Sequence, residues 1–179
     1  KKLNLILVEA NYGMEIRQRR KLEAISFIPI SWKTLEDLQE SPVNGVILAH
    51  ELLDALPVER IVYRNNSLFR QGVSIIQKNG KERLTFVDLP MSKELNYSID
   101  ETCRAIDLSI PPVGVSEGWC SEWHLSLNNW FKTASNILSM GTLLVIDYAL
   151  ESYSYYNSTR SSGTLLAYRN HTSSPDILR

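Results

Sequence analysis

The chain has 179 residues, of which 44% are hydrophobic and 22% are charged, and its formal net charge is -1 at pH 7. This length allows one domain with a real core, and the near-neutral charge argues against the large basic surface of a nucleic-acid-binding protein. No apolar stretch approaches the roughly 20 residues of a membrane helix, and the two cysteines have no metal-type spacing. We therefore expect a reducing compartment, no membrane span, no nucleic-acid partner and no bound metal.

The first third of the chain alternates between apolar runs and charged segments of helix length. The predicted elements are, in order, a strand at 3–8, a helix at 15–24, a strand at 27–30, a helix at 34–39, a strand at 43–49 and a short helix at 51–56. Continuous apolar strands separated by helices are typical of a parallel sheet covered on both faces.

The middle of the chain has a different pattern. Three β-rich runs are separated by Asn65-Asn66 and by Asn79-Gly80, and Asn-Gly is a strong hairpin signal. These runs predict an antiparallel meander at 58–90, inserted into the α/β layer. After it, we predict a loop at 107–118, a helix at 122–138 ended by Gly141, a strand at 143–147 and a mobile surface loop at 152–162.

Polar side chains follow three of the predicted parallel strands. Glu9 follows the first, His50 and Glu51 follow the third, and Asp147 ends the last. Ligands of open α/β sheets bind at the carboxyl ends of the strands, so we expect these side chains to converge. An acid such as Glu9 can accept both hydroxyls of a ribose, and the alternative is a surface acid at a strand end. Glu51 and its neighbour Asp54 could instead cap the predicted short helix.

Four segments resemble the MidA-like family of S-adenosylmethionine-dependent methyltransferases. The family's signatures are similar, in order, to LVE at 7–9 followed by Arg17-Gln18, to ELLDALPV at 51–58, to GTLLVIDY at 141–148 and to RSSGTLLAYRNH at 160–171. The resemblance implies one partial methyltransferase domain over 1–179. Its fold would be α/β, with an incomplete Class I methyltransferase (Rossmann-like) sheet and the meander at 58–90 as an insertion.

The family's activity implies methyl transfer from S-adenosylmethionine to a protein arginine, with a role in assembling respiratory complex I or a related complex. Such a donor is already activated, so the protein must mainly orient it and the nucleophile. Carboxylates suit a guanidinium acceptor because they pair with it bidentately. The implied residues are Glu51, Asp54 and Asp147 as catalytic, Glu9, Trp32 and His50 as cofactor-binding, and Tyr148, Gly163, Thr164 and His171 as substrate-binding.

The chain also departs from the family. His50 stands where the family usually has Asn, Ala149 stands where it has Gly, and no glycine-rich turn precedes Leu3. The chain therefore looks like an internal piece of a longer protein, and we expect it to bind S-adenosylmethionine poorly and to be inactive by itself. Without that turn most of the close backbone contacts to such a ligand would be lost.

Two alternatives to an active methyltransferase stay open. One is a non-catalytic, methyltransferase-like binding or assembly module, and the other is a Rossmann-type oxidoreductase, which would need the same missing turn. A homodimer is also open. We expect a cytoplasmic protein if the source is bacterial and a mitochondrial one if it is eukaryotic.

Overall fold

The computed structural model describes residues 3–178, which divide into two units. The first unit contains the chain up to Leu53 together with Asn128–Asp147, and the second contains Asp54–Leu127 together with the chain from Tyr148 onward. The strands are β1 (Leu5–Val8), β2 (Ile30–Lys33), β3 (Val43–His50), β4 (Glu59–Arg64), β5 (Ser67–Lys78), β6 (Lys81–Leu89), β7 (Cys120–Trp123), β8 (Leu138–Ile146), β9 (Ala167–Arg169) and β10 (Thr172–Ser174). The helices are α1 (Tyr12–Leu22), α2 (Leu35–Glu40), α3 (Lys93–Ile106), α4 (Leu127–Asn136) and α5 (Ser152–Tyr155).

The first unit contains two parallel strand pairs. Strand β1 pairs with β2 and β3 pairs with β8, so the parallel pairing is confirmed, but as two separate two-stranded sheets. Helix α2 was predicted to begin at Thr34 and begins at Leu35, because Thr34 is its N-cap and forms a reciprocal capping box with Asp37. The second strand starts at Ile30 rather than at Phe27, whose side chain is 82% exposed.

The second unit contains a four-stranded sheet in the order β6-β5-β4-β7, with antiparallel pairing throughout. The predicted meander is confirmed as β4, β5 and β6. Asn79 and Gly80 both have positive φ, as a tight two-residue hairpin turn requires. Strand β7 was not predicted, and it extends the sheet beyond the meander.

Helix α3 was also not predicted, and it forms part of the second unit's core. Ser92 caps it by accepting a hydrogen bond from the Leu95 backbone N–H. Its buried Leu95 and Ile99 belong to a cluster with Ile61, Trp119 and Trp123. Burial of this kind is the main favourable term in folding, so the second unit has a defined hydrophobic centre.

The predicted helix at 122–138 is wrong over its first turn. Glu122 and Trp123 lie in β7, which pairs with β4, and the helix begins only at Leu127. Gly141 does not end that helix either, because it lies inside β8 opposite Gly45. A Cβ on Gly141 would overlap the Gly45 carbonyl oxygen, and the residue has a φ of +154°, so close strand pairing and the backbone conformation both favour glycine there.

Two further predictions fail where long-range contacts decide the conformation. The segment 51–56 is a turn rather than a short helix, since Glu51 adopts a left-handed φ of 48°. The segment 152–162 is not simply a mobile surface loop, since it contains α5 and its Tyr156 donates a hydrogen bond to the Glu122 carbonyl. In residues 3–178 we find no helix with the length and apolar character needed to cross a membrane.

Candidate functional site

The carboxylate of Glu9 lies directly after β1 and is held at both oxygens. Its Oε1 accepts the Asn11 backbone N–H at 2.8 Å, and its Oε2 accepts Nε2 of Gln18 at 3.0 Å. Asn11 is in turn the N-cap of α1, since its side chain accepts the Met14 N–H. The strand end and the first turns of the helix therefore fix the Glu9 side chain together.

Trp32 is joined to Glu9 through the same glutamine. Its indole Nε1 donates to Oε1 of Gln18 at 2.9 Å, and the Arg19 guanidinium lies over its ring, 4.3 Å from the centroid. The sequence predicted that Trp32 follows the second strand, but Trp32 lies inside β2. The structure thus brings together two of the three predicted cofactor-binding residues, Glu9 and Trp32.

The ends of β3 and β8 carry the next group of predicted residues. His50 is the last residue of β3, is exposed, and pairs in register with Ile146. The Glu51 N–H donates to the Ile146 carbonyl at 2.8 Å, and Oδ2 of Asp147 accepts the Leu53 N–H at 2.7 Å. Asp147 therefore holds the turn that carries Glu51, while the Glu51 side chain is exposed.

Asp54 and Tyr148 belong to the second unit and are both exposed, Tyr148 by 80%. His171 is exposed at the turn of the β9–β10 hairpin, where it and Asn170 have positive φ. The roles predicted for these three residues stay predictions.

Thr164, by contrast, has a clear partner, which is the buried carboxylate of Glu122. Glu122 is 1% exposed, and its Oε2 accepts both the backbone N–H of Thr164 at 2.7 Å and the Thr164 hydroxyl at 2.9 Å. The Tyr155 hydroxyl donates to the same oxygen at 3.2 Å. Burial raises the pKa of Tyr155 to about 12, because a charged phenolate would lose its hydration there.

A cation lies beside this buried carboxylate. Nε of Arg60 is 3.8 Å from Oε1 of Glu122, and the remaining Arg60 nitrogens donate to Gln71, Cys120 and the Ser162 carbonyl. A buried carboxylate needs a counter-charge and hydrogen bonds to offset its lost hydration. All of its hydrogen bonds named here go to Oε2, whereas Oε1 and the facing Arg60 Nε are buried without a hydrogen-bond partner among the described residues, so their ion pair is a long one. Burial raises the pKa of the Cys120 thiol, although the adjacent guanidinium opposes that shift.

Gly163 fits tightly against the same carboxylate. Its φ is +73°, and a Cβ at this position would overlap Oε1 of Glu122. The glycine and threonine of the segment 160–171 are therefore explained by how that segment attaches to β7. Their predicted role in substrate binding stays a prediction.

Sequence reasoning missed Gln18 as a link and Glu122 as an anchor. Gln18 lies in one of the segments that resemble the family. It is about two helical turns beyond the Asn11 cap, and this spacing was an available signal for a contact near the start of α1. Glu122 had a weaker one, which is a single acid within the run Trp119–Trp123 that is otherwise apolar or small. Throughout the described part of the chain, no group of three or more His, Cys, Asp or Glu residues is arranged to hold a metal ion.

A family model described as "Putative S-adenosyl-L-methionine-dependent methyltransferase" matches residues 1–179. The chain belongs to this family. The family depends on S-adenosylmethionine, which is the cofactor that the sequence implied. No curated protein matches the chain.

Two crystal structures of one superfamily, both from Burkholderia thailandensis, are similar to this member of the family. One is of an uncharacterized protein, with 25% sequence identity and a TM-score of 0.76, and the match covers 98% of this chain and 43% of that one. The other is described as a "likely methyl transferase" bound to S-adenosyl-homocysteine, with 25% identity and a TM-score of 0.77, covering 98% of this chain and 42% of that one. The chain thus spans less than half the length of these two solved chains.

The first unit offers side chains that suit the family's cofactor. Each Glu9 oxygen accepts one hydrogen bond from the protein, and a carboxylate has about four acceptor positions in all. Both oxygens can therefore accept a further hydroxyl, as a ribose would require. Trp32 supplies an aromatic surface beside it, of the kind that bases stack on.

Proposed function

We propose that this chain is part of a Class I (Rossmann-like) methyltransferase domain that transfers a methyl group from S-adenosylmethionine to a protein arginine. As its resemblance to the MidA-like family implies, the reaction would assist assembly of respiratory complex I or a related complex. The observation that carries the donor half of the proposal is the Glu9–Gln18–Trp32 contact, in a chain that the family model matches throughout.

On the donor side, Glu9 would accept hydrogen bonds from the ribose and Trp32 would lie beside the adenine. Bound S-adenosylmethionine supplies a methyl group that is already activated. The chain's residues therefore have to bind and orient the donor and the nucleophile and to exclude water, rather than generate a reactive group. We also propose His50, at the end of β3, as a cofactor-binding residue.

On the acceptor side, Glu51 would orient the guanidinium. It is exposed at the carboxyl end of β3, and Asp147 fixes its turn by accepting the Leu53 N–H. Ionised carboxylates bind a guanidinium in a defined orientation and distribute its charge. Asp54 is proposed for the same role, and Tyr148, Gly163, Thr164 and His171 for contacts to the protein substrate.

The test is Glu51→Gln in the full protein that contains this chain, because the amide keeps the shape and removes the charge. We expect single-turnover methylation of a protein acceptor to fall roughly 10²-fold, about 2.7 kcal/mol of transition-state stabilisation. Cofactor affinity, measured by calorimetry, should change far less. Glu36→Gln, an exposed acid in the first turn of α2, is the matched control and should behave as the parent.

Three results would redirect the proposal. Parental transfer rates in Glu51→Gln would exclude the guanidinium clamp, and a loss of cofactor binding would assign Glu51 to the donor side. If only Asp54→Asn slows transfer, the two carboxylates exchange roles. A parent protein that folds but neither binds S-adenosylmethionine nor methylates would support the non-catalytic binding module instead.

A further inference from the structure

The side-chain amide of Gln18 links Glu9 to Trp32. Its Nε2 donates to Glu9 at 3.0 Å, its Oε1 accepts from Trp32 at 2.9 Å, and both bonds are partly buried. The three residues come from the end of β1, from α1 and from β2. One neutral group thus connects three elements of the first unit.

The chemistry of the partners determines which way the amide faces. An ionised carboxylate only accepts hydrogen bonds and an indole N–H only donates, so the amide nitrogen must face Glu9 and the amide oxygen must face Trp32. Asn11 holds the other oxygen of Glu9, and Arg19 lies over one face of the Trp32 ring. The carboxylate and the ring are therefore fixed relative to each other.

We propose that Gln18 is a positioning residue for adenosine recognition. It holds the Glu9 carboxylate at the spacing from Trp32 at which one group accepts the ribose hydroxyls and the other contacts the base. This inference rests on the proposed function, which requires an adenosine-containing cofactor, and it deepens that function by adding a residue that touches neither ribose nor base. Its signature is a loss of discrimination for the ribose, not merely a loss of stability.

Two substitutions separate the two bonds. Gln18→Met fills a similar volume and removes both, whereas Gln18→Glu keeps an acceptor for the Trp32 indole but sets a second carboxylate against Glu9. The probes are S-adenosyl-homocysteine and its 2′-deoxy analogue, with affinities measured by calorimetry on the full protein. The Trp32 indole N–H signal, assigned with Trp32→Phe, reports the bridge by NMR without any ligand.

We expect both variants to bind S-adenosyl-homocysteine roughly tenfold more weakly, which corresponds to about 1.4 kcal/mol, because both lose the hydrogen bond that holds Glu9. The preference over the 2′-deoxy analogue should shrink in both. The Trp32 signal should shift in Gln18→Met and stay near its parental position in Gln18→Glu. Gln39→Met, the same substitution at an exposed position of α2, should change none of these values.

An unmoved Trp32 signal in Gln18→Met would mean that the bridge is not formed and would overturn the inference. A shifted signal with parental ribose discrimination in both variants would also overturn it, and would leave the proposed function standing. A folded parent that does not bind S-adenosyl-homocysteine would refute the proposed function, and the positioning role with it. If Gln18→Met does not fold, the ribose discrimination of Gln18→Glu alone decides whether the inference stands.

Discussion

In the first unit, Glu9 is held by residues at most nine positions away along the chain, whereas in the second unit Glu122 is held by residues 33 and 42 positions away. The two carboxylates also differ in burial, since Glu9 is partly accessible and Glu122 is 1% exposed. An accessible carboxylate with acceptor positions remaining can bind a ligand. A carboxylate enclosed by its own chain serves instead to fasten that chain.

The two units also differ in hydrophobic burial, which is again greater in the second unit. Among the described residues, the second unit encloses a cluster around Trp119 and Leu95. In the first unit, apolar side chains of the β3–β8 pair remain open, with Val46 69% and Met140 67% exposed. The structure of the second unit therefore depends on a buried polar network within a hydrophobic core. The structure of the first depends on local capping and close strand pairing.

The largest effect should come from Glu122→Ala in the second unit. It removes the acceptor of Thr164 and Tyr155, and it takes away the carboxylate that faces the partly buried Arg60 guanidinium. Breaking a buried pair in this way should cost about 3–5 kcal/mol in the free energy of unfolding. Urea denaturation followed by circular dichroism measures it.

The matched control is Glu101→Ala, where the acid is exposed and pairs with the exposed Arg104 three residues on. Its cost should stay within about 0.5 kcal/mol. Equal costs for the two variants would mean that Glu122 does not fasten the segment containing Thr164, and the contrast between the two carboxylates would fail.

A smaller effect is expected in the first unit from Gly141→Ala. The added methyl would overlap the Gly45 carbonyl oxygen across the β3–β8 pair, and a backbone atom of a paired strand cannot easily retreat. We expect a loss of about 3 kcal/mol, near the upper end for overpacking. Thermal unfolding and urea denaturation both report it.

Gly45→Ala tests the same strand pair from the other side. No heavy atom lies within 4 Å of a Cβ at that position, so this variant should be nearly as stable as the parent. If Gly45→Ala costs as much as Gly141→Ala, then flexibility rather than close approach explains the two glycines, and the description of β3–β8 is wrong.

The smallest effect is a pH dependence carried by Tyr155. Burial raises its pKa to about 12 in the folded protein from the ordinary value of 10, so the unfolded chain loses this proton first as the pH rises. The folded state binds more protons in that interval, and its stability should fall from pH 10 towards pH 12. Tyr155→Phe should have a shallower decline in urea midpoint over the same interval.

Tyr97→Phe is the control. Because Tyr97 is 67% exposed, its replacement should leave the dependence of the urea midpoint on pH as it is in the parent. Burial also raises the pKa of Tyr156, so Tyr155→Phe removes only part of the slope. A profile unchanged by Tyr155→Phe would show that this hydroxyl is not desolvated beside Glu122.

The sequence by itself determined what lies within a few residues. The short helix near Thr34 and the Asn79-Gly80 hairpin follow from local pattern and turn chemistry, and the structure confirms both. Apolar runs farther apart also predicted parallel pairing, which β1 and β2 show. The same local reasoning identified Glu9 as an acid at a strand end. Capping and turn preferences depend on neighbouring backbone groups, so they can be read in order along the chain.

Only the tertiary structure decided the conformation where two reasonable local patterns competed. Residues 122–126 extend an apparent helical stripe, but Glu122 and Trp123 pair with β4 and are buried on both faces of a strand. The turn at Glu51 likewise depends on Asp147, which is 94 positions from the Leu53 N–H that it accepts. A partner so distant contributes nothing to the local pattern, and the burial and hydrogen bonds that it provides exceed the small energies of helix propensity.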